Sequence, residues 1–321
     1  MSNWDDPFRE RLQLLTELLP VIAREARFAL KGGTAINLFE HDLPRLSVDV
    51  DLTWLAVGDF AGDQHAITAA LEGLAQRLRA APLRLHVAAS IAAGAGGVTR
   101  LIATRLGARV QIETTPVMRG TVHPVRMMTV QPRVQAEFGF AEMQVLDHAD
   151  LYAGKLAAAL SRQHPRDLFD VGVLLDSGRL DAHLWRTFLV YLTATPKPAA
   201  ELLAPREPLG FAAAFGSQFR GMTREPVTVE WLLHARERLL MRVSELMDDA
   251  TQKFLVSVER ERPDFTSIGL PHAANLPGVQ RKLYNLAQRT PAKREADYCQ
   301  LVETLEQIAS QRPVPYDYPK G

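Results

Sequence analysis

One cysteine, Cys299, stands in the 321 residues, so no disulfide can form within the chain. That scarcity fits a reducing compartment. No apolar run approaches the ~20 residues needed to cross a bilayer, and the opening MSNWDDPFRE is acidic, without a secretory hydrophobic region. The expectation is a cytoplasmic protein with no membrane partner. Net charge is lacking too: Lys+Arg and Asp+Glu number 37 each, which excludes a chain that coats nucleic acid by bulk charge. Internal repeats are absent. The hydrophobic fraction, 47%, is that of a globular protein with a sizeable core.

What the chain does contain is organised in two parts. Apolar spacing at Leu12, Leu15, Leu18, Leu19 and Ile22 predicts a helix within 8–30. A short strand follows at Phe28-Ala29-Leu30, then a glycine break, with Thr34 as the expected cap of a helix over about 35–41. Residues 48–54 alternate as a half-buried strand. A helix over 63–80 and strands over 83–90, 98–105 and 109–114 come next, with a turn at Gly94-Ala95-Gly96-Gly97. The stretch 115–142 reads as irregular, with room for one short strand. From about 148 the pattern is helical: 148–162, 165–176, 181–193, 229–248, 249–260, 276–288 and 292–310, with loops at 194–209 and 262–277. The fold class expected is α+β, a mixed sheet flanked by helices over residues 1–145, then a mostly helical domain over 146–321 that completes a cleft.

The stretch KGGTAINLFEHDLPRLSVDVDL, residues 31–52, holds the chemistry. Strand alternation sends Asp49 and Asp51 to one face, about 7 Å apart at Cα. Two carboxylates that close repel unless a cation sits between them, and Mg²⁺ takes a few carboxylate oxygens with phosphates and water for the rest. Gly32 and Gly33 let a backbone approach a phosphate before a helix start. Thr34 adds a hydroxyl, and Arg45 a guanidinium for phosphate oxygens. A tight turn with a threonine cap explains the same triplet without a ligand. Glu113, on the alternating strand 109–114, joins the aspartates if that strand is their neighbour. Farther on, Lys155 and Arg162 share a helix face; Asp167 and Asp170 are three apart on the next helix, where Arg166 can pair with Asp170. The competing reading of Arg162, Arg166, Asp167 and Asp170 is a surface ion-pair ladder of little energetic weight. His123, His148, His164 and His183 lack zinc spacing. Met127-Met128 reads as packing. The basic clusters Arg77/Arg79/Arg84, Arg100/Arg105/Arg109 and Arg281/Lys282/Arg289/Lys293/Arg294 read as solvated faces.

Two blocks, Gly32-Gly33-Thr34-Ala35 with Arg45-x-Ser47-x-Asp49-x-Asp51-Leu52, and Lys155-Leu156-x-Ala158-x-x-x-Arg162 with Arg166-Asp167-Leu168-Phe169-Asp170, together resemble the signature of the AbiEii/AbiGii nucleotidyltransferases. These are toxins of bacterial toxin–antitoxin systems, similar to the MenT toxins within the polymerase-β nucleotidyltransferase superfamily. Val171 departs from the usual last residue of the second block, and Glu113 stands where many relatives have aspartate. The resemblance covers about residues 28–176. It implies a polymerase-β-like core and a nucleotidyl transfer with Mg²⁺, or Mn²⁺, held by Asp49, Asp51 and Glu113. Gly32, Gly33, Thr34, Arg45, Ser47 and Lys155 would bind the nucleotide. Asp49, Asp51, Glu113, Lys155 and Asp167 would carry catalysis, with Glu113 as metal ligand or base. It further implies an NTP (ATP or CTP) as donor, a tRNA 3′ end as acceptor, and an antitoxin encoded nearby that need not touch the toxin. The alternatives are NMP transfer to a protein or small-molecule hydroxyl, and a non-catalytic nucleotide- or RNA-binding module.

Overall fold

A seven-stranded mixed sheet carries the first half of the chain. The computed structural model describes residues 6–91 and 96–310; Gly94 and Ala95 of the expected turn lie outside them. The opening helix α1 (Asp6–Ile22) buries Leu12, Leu15, Leu18, Leu19 and Ile22 completely, as its periodicity requires. It ends at Ile22, well short of residue 30. Strand β1 (Phe28–Lys31), the single turn α2 (Gly32–Ala35) and a π-helical turn (Ile36–Glu40) precede β2 (Asp49–Trp54). Then come α3 (Phe60–Ala80), β3 (His86–Ser90), β4 (Arg100–Arg105), β5 (Ala108–Thr114), β6 (Arg126–Thr129), α4 (Pro132–Phe138) and β7 (Glu142–Val145). The stretch 115–142 thus holds the one short strand there was room for, β6, and in addition the helix α4, with β7 starting at its end. In β6, Met128 packs against the core while Met127 is exposed.

The strand order is β3-β4-β5-β2-β1-β7-β6. In the middle, β2 runs antiparallel to β1 and parallel to β5. The register pairs Lys31 with Asp51, Asp51 with Glu113, and Glu113 with Arg100 on β4. Directly opposed residues share a face of a sheet. Four charged side chains therefore form one row across four strands.

The second half is helical: α5 (His148–Arg162), α6 (Pro165–Asp176), α7 (Ala182–Ala194), α8 (Ala199–Leu203), α9 (Phe211–Gln218), α10 (Val229–Leu246), α11 (Asp249–Glu259), α12 (Pro277–Ala287) and α13 (Pro291–Ser310). Caps explain the sharp starts. The Asp147 carboxylate accepts from Ala149 N at α5, and His164 with Pro165 opens α6. Helices α6 and α10 cross where Gly172 has no side chain; a Cβ there would meet Trp231 at 2.4 Å. The short α8 and α9 lie where the sequence suggested loop or nothing.

A buried charge network holds the two halves together. Arg45, on the loop before β2, donates to the Asp170 carboxylate through Nε (2.7 Å) and Nη2 (2.6 Å). Lys155 Nζ lies 2.9 Å from both Asp170 and Asp167. Asp167 also takes Arg162 Nε at 2.6 Å, and Asn37 donates to Asp170 at 3.2 Å. Both aspartates are 1% exposed. Backbone bonds add to this tie: Leu46 N donates to Met222 O and Arg224 N to Pro44 O. The surface-ladder reading is overturned, because the carboxylates are sealed. Asp170 pairs with Arg45 and Lys155 rather than with Arg166.

Burial alone would raise the Asp170 and Asp167 pKa values. The cations beside them win, and both lie below the usual carboxylate range. A carboxylate with a depressed native pKa contributes stability that is present above its unfolded value and lost as pH falls through the native value. Glu40, held at about 2 against its burial by His148 and Arg126, acts in the same direction. Asp49 and Asp51, with raised values, act oppositely. The expected result is a melting temperature that falls as pH drops below about 4. The fall is shallower in Asp170→Asn, which has lost the titrating group. Parallel curves for the two proteins would contradict the assignment.

Candidate active site

The charged row opens into a cleft of about 1030 Å³. Asp49, Asp51 and Glu113 line its floor with Lys31; Lys155, Arg162, Arg166 and Asp167 form one wall, and Tyr191, Thr195, Arg281 and Asn285 another. The sheet positions Asp49, Asp51, Glu113 and Lys31, and the helices position Lys155, Arg162, Arg166 and Asp167.

Local sequence explains the floor. Gly32 has φ +73°, the left-handed region, and a Cβ there would lie 2.4 Å from the Asp51 carboxylate. A Cβ on Gly33 would strike Arg45 at 2.7 Å and Ser47 at 2.9 Å. The glycine pair thus gives way to the site's own side chains. Thr34 is not the helix cap: it sits inside α2, almost wholly buried, and its hydroxyl donates to Asp49 O at 2.5 Å and meets Ser47 Oγ at 3.0 Å. It tethers the aspartate strand. Arg45, expected on phosphate, is 2% exposed and spent on Asp170. Lys155 reaches the cleft but is gripped by two aspartates.

Electrostatics single out the acids. Burial raises the Asp49 pKa, with Arg166 opposing and Glu113 adding. Burial also raises Asp51, opposed by Lys31 and reinforced by Glu113 and Asp49. Lys31 is lowered by burial, although Asp51 and Glu113 pull it up. Burial therefore outweighs the neighbouring cations in disfavouring the two negative charges, and a divalent ion on this pair would stabilise them. The donor set therefore fits a metal through Asp49 and Asp51. Glu113 is faced correctly but engaged: its Oε2 accepts from Arg100 (3.1 Å) and Gln111 (2.8 Å). Among the described residues no group of three or more His, Cys, Asp or Glu is drawn close enough to hold an ion, so the expected three-carboxylate set is not assembled. The histidines likewise form no such group. His148 meets Glu40, His123 meets Thr187, and the His164 ring accepts from Arg166 N.

Sequence reasoning missed Lys31, Arg100 and the cleft-facing placement of Arg166. Lys31 stands immediately before Gly32, and only the strand register brings it opposite Asp51. Of the basic clusters, Arg77 pairs with Glu25, Arg289 with Glu259 and Asp297, Lys293 with Asp297, and Arg294 with Glu261. Arg281 and Lys282 reach the cleft instead.

These features meet those of known proteins. No curated protein is similar enough to be matched. Among solved structures, MenT4, a nucleotidyltransferase toxin from Mycobacterium tuberculosis, is similar in fold, with a TM-score of 0.55 at 18% identity. The likeness covers 87% of this chain and 93% of that one. No helix among the described residues is long and apolar enough to cross a membrane. The profile of the nucleotidyl transferase AbiEii toxins of type IV toxin–antitoxin systems matches residues 13–275, and with that span, which holds both motif blocks, the chain belongs to the AbiEii family of nucleotidyltransferase toxins.

Proposed function

We propose that this enzyme transfers a nucleoside monophosphate from an NTP to the 3′ end of a tRNA and so blocks translation. The observation that carries the proposal is the Asp49–Asp51 pair on a central strand, facing a cleft roomy enough for two reactants and walled by basic side chains. In this reading residues 1–145 form the transferase core and residues 146–321 complete the cleft.

Asp49 and Asp51 would hold Mg²⁺ or Mn²⁺, which supplies positive charge against the oxygens of the transferring phosphoryl group. Gly32 and Gly33 bring backbone close to the phosphates. Lys31, Lys155 and Arg166 face the cleft as cations for the triphosphate. Arg45, Ser47 and Thr34 act through the aspartate strand that they fix, and Asp167 acts through Lys155. The acceptor hydroxyl attacks the α-phosphorus; the P–O bond to the β-phosphate breaks and pyrophosphate leaves. Glu113, already oriented by Arg100 and Gln111, takes the hydroxyl proton. A base is favoured over a metal ligand because, among the described residues, Glu113 is not drawn into a metal-binding group with the two aspartates. The antitoxin that a type IV system implies would be encoded nearby and need not contact this toxin.

Asp49→Asn and Asp51→Asn should each lower transfer by at least about a hundredfold while the melting temperature holds or rises, because a charge that burial disfavours is removed. Glu113→Gln should lower kcat with the metal concentration for half-activity unchanged. Retained activity in either aspartate variant, or a changed metal requirement in Glu113→Gln, would contradict these roles.

Incubation with labelled NTPs, Mg²⁺ and either total tRNA or cell lysate tests the acceptor. Label should enter tRNA at its 3′ terminus. Label confined to protein would replace the tRNA reading with NMP transfer to a side-chain hydroxyl, and no label in any fraction would leave a binding module.

A further inference from the structure

Helix α12 lies beyond the family match, which ends at residue 275, yet it supplies a wall of the same cleft. Two devices fix it there. A Cβ on Gly278 would meet Met118 Sδ at 2.7 Å and Ala194 Cβ at 3.0 Å, so glycine lets the start of α12 lie directly on α7. One turn later, the buried Lys282 donates through Nζ to the carbonyls of Thr195 (2.8 Å) and Lys197 (2.7 Å), in the chain leaving α7. A buried ammonium is costly unless its protons find acceptors, and with Pro196 O at 3.4 Å three neighbouring carbonyls supply them, so α12 cannot shift without stranding the charge.

What the anchorage presents is a polar reading face. Arg281 and Asn285 are four apart, hence on one side of the helix, and both are exposed and line the cleft. The Arg281 guanidinium lies 5.8 Å from the ring centre of Tyr284, which is 59% exposed and stands just outside the cleft lining. No ion pair engages Arg281 among the described residues, whereas Arg289, Lys293 and Arg294 of the same cluster are each taken by a carboxylate. A guanidinium beside an exposed aromatic ring, with an amide one turn on, is the chemistry that receives unpaired bases: π-faces to stack on, a cation for phosphate, and a two-way hydrogen-bonding group for a base edge.

We propose that α12 is the acceptor-reading wall, and that it reads a single-stranded nucleic-acid end, through Arg281 and Tyr284 to phosphate and base and through Asn285 to a base edge. The proposal deepens the transfer reading and rests on it for which reactant this wall meets. The lining contributed by α5 and α6, with Lys155 and Arg166, is left to the triphosphate.

The test measures binding of a short fluorescent single-stranded RNA to the full chain without NTP, and separately binding of a labelled non-hydrolysable NTP. Arg281→Glu should weaken RNA binding roughly tenfold and Asn285→Ala less, with NTP binding and melting temperature little changed, since both side chains are exposed. Unchanged RNA affinity in both variants overturns the proposal. So does a loss confined to NTP, which would put α12 on the donor, and so does lysate protein labelling that falls while RNA binding stays. Because no transfer is needed for the RNA arm, a failed transfer reaction refutes the catalytic reading, and with it the acceptor's role, while RNA binding by α12 is still decided by this measurement.

Discussion

The carboxylate of Asp170 is the point on which the molecule turns. Sealed from water, it accepts from Arg45, Lys155 and Asn37, and those three come from the loop before β2, helix α5 and the π-helical turn. A buried carboxylate costs several kcal/mol unless its lone pairs are met by good donors, so none of these elements can shift without leaving a charge stranded. Asp167 repeats the device one turn earlier with Lys155 and Arg162. The sheet and the helical half are thereby held at a fixed distance, and the cleft between them has a defined width.

That constraint gives the charged row its meaning. Lys31, Asp51, Glu113 and Arg100 follow one another across four strands with the two acids in the middle. Lys31 pulls the Asp51 value down, but burial outweighs it, and both Asp49 and Asp51 stand above the usual carboxylate range. A site with excess negative charge at its floor and arginines on its walls suits a polyanion that arrives with a cation. The side chains with fixed duties, Arg45 and Thr34, are buried, whereas Arg166 is half-buried and Arg281 exposed along the cleft.

Much of this was legible in the sequence, and the rest was hidden for identifiable reasons. The helix over 165–176 and the strand around Asp49 and Asp51 were read closely because caps and alternation are local signals. Both motif blocks fall within the family match. Helices α4, α8 and α9 went unseen because elements of five to eight residues carry too little periodicity. Lys31 and Arg100 were missed because register is a tertiary property. Arg45 was assigned to phosphate and Thr34 to a cap because sequence shows which groups are present, not which partners have already claimed them. The surface ladder failed for the same reason: a charge pattern on two helices looks alike whether the face meets water or another helix.

A double-mutant cycle between Arg45 and Asp170, read by equilibrium unfolding of Arg45→Met, Asp170→Leu and the double variant, tests the central tie most directly. If the pair locks the two halves, each single variant strands a buried charge, the double variant is no less stable than either, and the coupling is at least about 2 kcal/mol. Additive losses, with a coupling indistinguishable from zero, would contradict the account.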